Sequence, residues 1–143
     1  METTFILLLH YEMSEIKLQQ RFSLTIPGSL TSLNEYIRIE RGASGKFLAN
    51  KVKQNETEMI AWIAKQQLRD VCINTPCFIE TNWYCETQRQ DPDNVVFAKK
   101  FILDGLVMAG TLKNDTMEYV VGFMDTVNVD KSNPRIEVNL LTY

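Results

Sequence analysis

A proline between acidic residues, followed by a long apolar run, constrains this chain more than any other part of its sequence. Pro92 is not tolerated inside a helix but is favoured at the first helical position, so Asp91 is the predicted N-cap of a helix. Apolar residues between Val95 and Met108 continue this helix. Gly110 is suited to end it, because the residue beyond a helix end often has a positive φ. The sequence therefore predicts a helix over residues 92–108.

Charged side chains on this apolar helix fall on one side of it. At about 100° per residue, Asp93, Lys100 and Asp104 lie within roughly 20° of one line along a continuous helix. Each charged residue also has an ordinary structural explanation. Asp91 could be a helix cap, Asp93 could complement the helix dipole, and Asp104 could form an i,i+4 ion pair with Lys100. These explanations do not account for the single charged line on an otherwise apolar helix. They also do not account for Asn114-Asp115, which follows soon after the predicted end of the helix. The pattern indicates a site for a metal ion and a phosphate group.

The same residues resemble the signature of a known family. Asp91-x-Asp93-Asn94, a lysine four residues before Asp104-Gly105-Leu106, and the closing Asn114-Asp115 look like the motifs of the RusA-type Holliday junction resolvases, which are largely phage-encoded endodeoxyribonucleases. The resemblance implies that three carboxylates are catalytic and bind metal, and that one lysine is needed for cleavage: Asp91, Asp93, Asp115 and Lys100. Asn94 and Asp104 take supporting positions, with Asp104 orienting Lys100.

This chain departs from the family pattern at two positions. The family usually has its lysine three residues after the asparagine, where this chain has Phe97, and the distance from Asn94 to Asp104 is longer here by nearly one helical turn. Counting back four residues from Asp104 recovers Lys100. Gln90 stands where the family often has arginine, although Arg89 precedes it.

The resemblance implies a metal-dependent, structure-selective DNA endonuclease that resolves Holliday junctions by paired nicks in recombination and repair. A carboxylate cluster without histidine favours a hard cation, Mg²⁺ or Mn²⁺. The implied partners are branched DNA and a second copy of the chain in a homodimer. Two alternatives stay open: a non-enzymatic branched-DNA-binding protein whose shifted lysine has cost the activity, and a metal-dependent phosphohydrolase with a small substrate.

Basic charge is concentrated in one segment of an acidic chain. The net charge is −3, yet residues 38–53 carry five basic side chains against Glu40 alone, a balance of +4 that leaves −7 for the rest. The five are Arg38, Arg41, Lys46, Lys51 and Lys53. With Gly42 and Gly45 inside it, the segment is predicted to be a mobile loop that follows DNA phosphates. A solvated surface loop is the open alternative.

Length and composition predict a single compact domain. A chain of 143 residues with 45% hydrophobic and 23% charged residues has ordinary globular usage. We assign residues 21–143 to the endonuclease domain and residues 1–20 to an N-terminal extension or an extra strand. The apolar run over residues 5–9 is too short to span a membrane, so no membrane partner is expected. An odd number of cysteines without paired spacing indicates reduced thiols and a cytoplasmic location.

Periodicity predicts an α+β fold, with a mixed β-sheet packed against two main helices in a RusA-like arrangement. Strands are expected over residues 22–26 and 78–85, and a helix over 56–71 behind an Asn55 capping box. Met59 and Trp62 of this helix are assigned to the core. The chain is expected to close with a hairpin whose arms are residues 119–125 and 136–141.

Overall fold

A mixed four-stranded sheet forms the frame of residues 20–143, the part of the chain that this computed structural model describes. The predicted extension or extra strand lies outside the described residues, apart from Gln20, which begins the first strand. The elements in chain order are β1 (Gln20–Pro27), α1 (Leu33–Glu40), α2 (Gly45–Gln67), β2 (Cys77–Cys85), α3 (Pro92–Val96), α4 (Lys99–Met108), β3 (Val120–Val129) and β4 (Arg135–Thr142). The predicted α+β class is confirmed. None of these helices is long and apolar enough to cross a membrane.

The order of the strands in the sheet excludes the predicted closing hairpin. It is β1-β4-β2-β3, with β4 antiparallel to both of its neighbours and β2 parallel to β3. The predicted closing hairpin is therefore wrong, because β2 lies between β3 and β4. Burial explains this order: β2 and β4 carry the fully buried Ile79, Trp83 and Val138, whereas β3 is largely exposed and forms an edge.

Helix α2 begins eleven residues earlier than residue 56, the predicted start, and ends at Gln67. A side chain at position 45 would collide with the carbonyl of Glu40, so glycine allows the chain to turn tightly from α1 into α2. Residue 55 lies inside the helix, and the predicted capping box is wrong. The prediction of a mobile basic loop is also wrong, because most of that segment is helical. Of its five basic residues only Arg41, which caps α1, lies between the helices.

The core lies between the sheet and the two helices α2 and α4. Ile60, Ile63 and Ala64 of α2 are buried in it, as the helical repeat predicts. Met59 and Trp62 are 40% and 65% exposed, so their assignment to the core is wrong. The two helices cross closely at Gly105, where an added Cβ would lie 2.6 Å from Cγ2 of Ile60.

Candidate functional site

The predicted helix over residues 92–108 is two helices, and this changes the expected alignment of its charges. The break lies between Val96, the last residue of α3, and Lys99, the first residue of α4. Backbone hydrogen bonds near it span three residues instead of four, as in the bond from the amide of Phe101 to the carbonyl of Ala98 at 3.0 Å. The ring of Phe97 packs at the break against Tyr36 and Phe101, with centroids 5.4 and 5.6 Å away. The predicted alignment of Asp93 with Lys100 and Asp104 on one continuous helix is therefore wrong. The alignment of Lys100 with Asp104 lies within α4 and is kept.

Lys100 lies between two carboxylates. Its Nζ donates to Oδ1 of Asp104 at 2.7 Å, the contact that i,i+4 spacing predicts, and to Oδ2 of Asp115 at 3.2 Å. Hydrogen bonding to Asp104, and then to Asp115, raises the pKa of Lys100 above its usual value despite some desolvation. Lys100 therefore stays protonated, and its two hydrogen bonds orient the ammonium group.

A second lysine reaches the same carboxylate from the opposite helix. The Nζ of Lys53 in α2 lies 3.7 Å from Oδ2 of Asp104, whose other oxygen is bonded to Lys100. Asp104 thus bridges two ammonium groups that are 47 residues apart in sequence. Sequence spacing along one helix could not reveal this pair, because it depends on how α2 packs against α4.

Lys53, Asp104 and Asp115 line a cleft of about 530 Å³ between α2 and α4. Its α2 wall also contains Thr57, which is 5% exposed and whose hydroxyl has no hydrogen-bond partner in the described residues. The full lining consists of Asn50, Lys53, Gln54, Thr57, Asp104, Val107, Met108 and Asp115. The cleft lining therefore combines one lysine, two carboxylates and a threonine with an unsatisfied hydroxyl group, and Lys100 contacts both of these carboxylates.

Asp115 comes to this cleft because the chain reverses after α4. Gly110 takes a φ of 77°, and the amides of Thr111 and Leu112 donate back to the carbonyl of Leu106 at 3.1 and 3.2 Å. The side chain of Asn114 then accepts from the amide of Asp115 at 2.8 Å. These bonds bring Asp115 back to Lys100, in the first turn of α4.

Asp91, Asp93 and Asn94 lie at the start of α3. Asp91 is the N-cap residue and Pro92 the first helical residue, as predicted, although the Asp91 side chain makes no capping bond. Asp91 and Asp93 are exposed and form no ion pair within residues 20–143. Oδ1 of Asn94 accepts from the amide of Asn34 at 2.8 Å, which ties α3 to the start of α1.

The implied metal ligands are suited to Mg²⁺ by chemistry but are not gathered into one group. All three are carboxylates, which hard cations prefer. Within the part of the chain that the structure describes, no group of three or more His, Cys, Asp or Glu residues is arranged to hold a metal ion. The structure instead joins Asp115 to Lys100 and leaves Asp91 and Asp93 exposed at the start of α3.

Lys99 points to a different carboxylate, which the sequence did not indicate. It forms an ion pair with Asp125 of β3, and its Nζ lies 4.3 Å from the ring centroid of Phe123. The indole nitrogen of the buried Trp83 donates to the other oxygen of Asp125 at 2.9 Å. Trp83 gave the one available signal, since a buried indole N–H usually finds an acceptor. This group joins β2, β3 and α4 and is separate from the cleft contacts.

The predicted DNA-binding residues are distributed over two helices and the turn between them. Arg38 lies on α1, 4.0 Å from Glu35, and Arg41 follows it. Lys46 and Lys53 are seven residues apart on α2 and so share a face within about 20°, whereas Lys51 is rotated about 160° from Lys53. Two of the three α2 lysines therefore lie on the cleft side.

Comparison with protein-family models and with curated proteins finds no match to this chain. Its function is therefore inferred from the sequence motif and from the contacts of these residues.

Proposed function

We propose that this chain is a metal-dependent, structure-selective DNA endonuclease of the RusA type, which resolves Holliday junctions by paired nicks in recombination and repair. The observation that carries the proposal is the Lys100 ammonium group, held by Asp104 and Asp115 at a cleft with a second lysine on its far wall. Fixed donors aimed at a reacting group stabilise the charge that develops in the transition state. A phosphodiester is the substrate class that such donors suit.

Each residue has a separate role in this proposal. Lys100 donates to the non-bridging phosphate oxygens or protonates the leaving oxygen. Asp104 orients Lys100 through the 2.7 Å bond. Asp91, Asp93 and Asp115 would hold Mg²⁺ or Mn²⁺, which supplies an activated water and neutralises phosphate charge. Asn94 fixes the start of α3 against α1 by accepting from Asn34.

The proposal includes a branched-DNA partner and a second copy of the chain. Resolution of a four-way junction needs two coordinated nicks, and a two-fold homodimer would supply two equivalent sites. Arg38, Arg41, Lys46, Lys51 and Lys53 supply the positive charge for phosphate contacts. A cytoplasmic location and a phage or prophage origin belong to the same proposal.

Two observations favour rival functions enough to test them. Lys100 stands three residues beyond the usual position of the family's lysine, which favours a non-enzymatic branched-DNA-binding protein. The cleft of about 530 Å³ has the size of a small-molecule site, which favours a phosphohydrolase. Purified protein with Mg²⁺ should nick a synthetic four-way junction that it also binds. Binding without nicking would favour the first rival, and hydrolysis of a small phosphate ester that junction DNA fails to inhibit would favour the second.

The role of the carboxylates is tested by Asp93→Asn and Asp115→Asn. We expect each variant to lose junction cleavage while binding survives or tightens, because a negative charge near a polyanion is removed. Asp70→Asn is the matched control, since Asp70 is exposed in a turn with a φ of 64°, which asparagine also tolerates. Near wild-type cleavage by either site variant at saturating Mg²⁺ would contradict the metal-ligand assignment.

A further inference from the structure

Lys53 reaches the candidate site from α2, whereas Lys100 belongs to the opposite helix, α4. We infer that the cleft between α2 and α4 is a phosphodiester-binding subsite in which Lys53 contacts the same phosphate group as Lys100. This inference rests on the proposed function and deepens it, because it adds a residue from α2 to a site whose motif lies wholly within residues 91–115. The three observations that carry it are a shared carboxylate, an unsatisfied hydroxyl group and the orientation of the lysines on α2.

Asp104 holds the two ammonium groups close to one another. Its two oxygens lie 2.7 Å from Lys100 Nζ and 3.7 Å from Lys53 Nζ. Each ammonium group has three N–H donors. Asp104 and Asp115 take two of those of Lys100, which leaves one for a ligand, whereas Lys53 forms an ion pair with Asp104 at 3.7 Å and keeps its donors. Lys53 and Lys100 keep 45% and 54% of their side chains exposed, whereas Asp104 keeps 22%. The cations are therefore accessible, and the carboxylate that orients them is the more enclosed group.

Thr57 supplies an independent indication of a ligand. It lines the same cleft one helical turn beyond Lys53 and is 95% buried, yet its hydroxyl has no hydrogen-bond partner in the described residues. A buried hydroxyl left without a partner is destabilising. Rotation of the Thr57 side chain about χ1 would turn this hydroxyl toward the cleft, where a phosphate oxygen would provide the acceptor that it lacks.

The face of α2 distinguishes this subsite from a general basic surface. Lys46 lies about 10 Å before Lys53 along the same face, because the helix rises 1.5 Å per residue. Lys51 faces away from the cleft and makes no ion pair among the residues that the structure describes. A DNA strand that leaves the cleft along α2 would pass Lys46 and not Lys51.

The test compares Lys53→Ala with Lys65→Ala in the full chain. Single-turnover junction cleavage is measured at saturating protein with Mg²⁺, and junction binding is measured without divalent metal. We expect Lys53→Ala to slow the saturated rate by about ten- to a hundredfold. This is at most the smallest rate loss that is usual when one transition-state donor is removed. Lys65→Ala should stay within about twofold, because Lys65 is an exposed residue of α2 outside the proposed DNA-binding set. Lys53→Arg should recover much of the rate because it keeps a cation.

Equal saturated rates for Lys53→Ala and Lys65→Ala, in proteins with equal unfolding temperatures, would overturn the inference and leave the proposed function intact. A loss by Lys53→Ala that appears only in junction affinity would also overturn it, since Lys53 would then act as a remote phosphate contact. Failure of the wild-type protein to nick any junction would instead defeat the proposed function.

A second measurement decides the inference without cleavage. Dimethyl phosphate is titrated into the wild-type chain at constant ionic strength, with NMR signals of the lysine ammonium groups and the backbone as readout. We expect saturable shifts at Lys53, Thr57 and Lys100, no shift at Lys65, and loss of the shifts in Lys53→Ala. Absence of saturable shifts at Lys53, Thr57 and Lys100 would overturn the subsite even if the protein proved to be a nuclease.

Discussion

Two adjacent lysines show how strongly single residues differ in this fold. Lys99 and Lys100 are rotated by about 100° from each other on α4. Lys100 is held by Asp104 and Asp115 at the cleft, while Lys99 pairs with Asp125 on β3. We assign the first lysine to the reaction and the second to the packing of α4 against the sheet.

The division between these lysines predicts unequal losses of activity. We expect Lys100→Ala to lower the cleavage rate by roughly two to three orders of magnitude, the scale for removing one transition-state donor, with little change in DNA binding. Lys99→Ala should cleave nearly as wild type per folded molecule. Single-turnover cleavage of a four-way junction measures both. Equal rates, or a larger loss at Lys99, would remove Lys100 from the reaction.

Lys99 should instead matter for stability. Its removal leaves the partly buried Asp125 carboxylate with Trp83 as its remaining side-chain partner, at a cost of about 1–3 kcal/mol. We expect Lys99→Ala to lower the midpoint of urea unfolding. The control is Lys65→Ala, an exposed position on α2 without an ion pair in residues 20–143. Equal midpoints for the two variants would show that the ion pair of Lys99 with Asp125 adds nothing to the stability of the protein.

Cys77 predicts a stability change at alkaline pH. Burial raises the pKa of its thiol from 9.0 to about 11, even though a backbone hydrogen bond opposes this shift. The unfolded chain therefore loses the proton first, and stability falls as pH rises from 9.0 toward 11, by about 1.4 kcal/mol for each unit of pKa difference. Urea unfolding over this range, compared with Cys77→Ala, isolates the effect from other titrating groups. An equally steep decline in the variant would contradict it.

At the scale of elements, the close contact of α2 with α4 sets the width of the cleft. An added Cβ at Gly105 would meet Cγ2 of Ile60 at 2.6 Å and the carbonyl of Thr57 at 3.0 Å. Both contacts are on the helix that also carries Lys53. A small residue at the crossing therefore keeps Lys53 within reach of Asp104.

Gly105→Ala tests this helix contact. Overpacking a close contact typically costs about 1–3 kcal/mol, which outweighs the gain of about 1 kcal/mol from better helix propensity. We expect lower stability in urea unfolding and slower junction cleavage, since the two cleft walls are forced apart. Met108→Ala changes an exposed position on the same helix and should leave the stability of the protein nearly unchanged. A Gly105→Ala protein as stable as wild type would mean that the helices adjust without cost.

At the scale of the whole molecule, charge distribution matters more than net charge. The chain carries −3 overall, yet its basic segment folds into α1, the turn after it and the first half of α2. Held on helices, these side chains have fixed spacings, unlike those of the mobile loop that the sequence predicted. Lys46 and Lys53 share one face, and Lys51 lies on another.

Neutralising Lys46, Lys51 and Lys53 together should weaken junction binding and flatten its dependence on salt. Each lost phosphate contact reduces the slope of log K against log salt by about 0.9. The geometry further predicts that Lys46 and Lys53 account for most of this change and Lys51 for little. Binding isotherms at several salt concentrations measure the slope. An unchanged slope in the triple variant would make these lysines a solvated surface.

The sequence by itself determined features that depend on neighbours along the chain. Alternation of apolar residues predicted β1, and the run of β-forming residues predicted β2, because side chains of a strand point to alternate faces. Pro92 set the start of α3, and i,i+4 spacing set the bond between Lys100 and Asp104. The α+β class follows from the same local patterns.

Tertiary structure alone decided features that depend on contacts between distant segments. Phe97 packs against Tyr36 and interrupts the helix that local pattern continued, and β2 takes the central place that separates β3 from β4. Lys53 reaches Asp104 only because Gly105 lets α2 approach α4. Periodicity reports which face of an element is apolar. It does not report which partner covers that face, since burial of the whole core selects that partner.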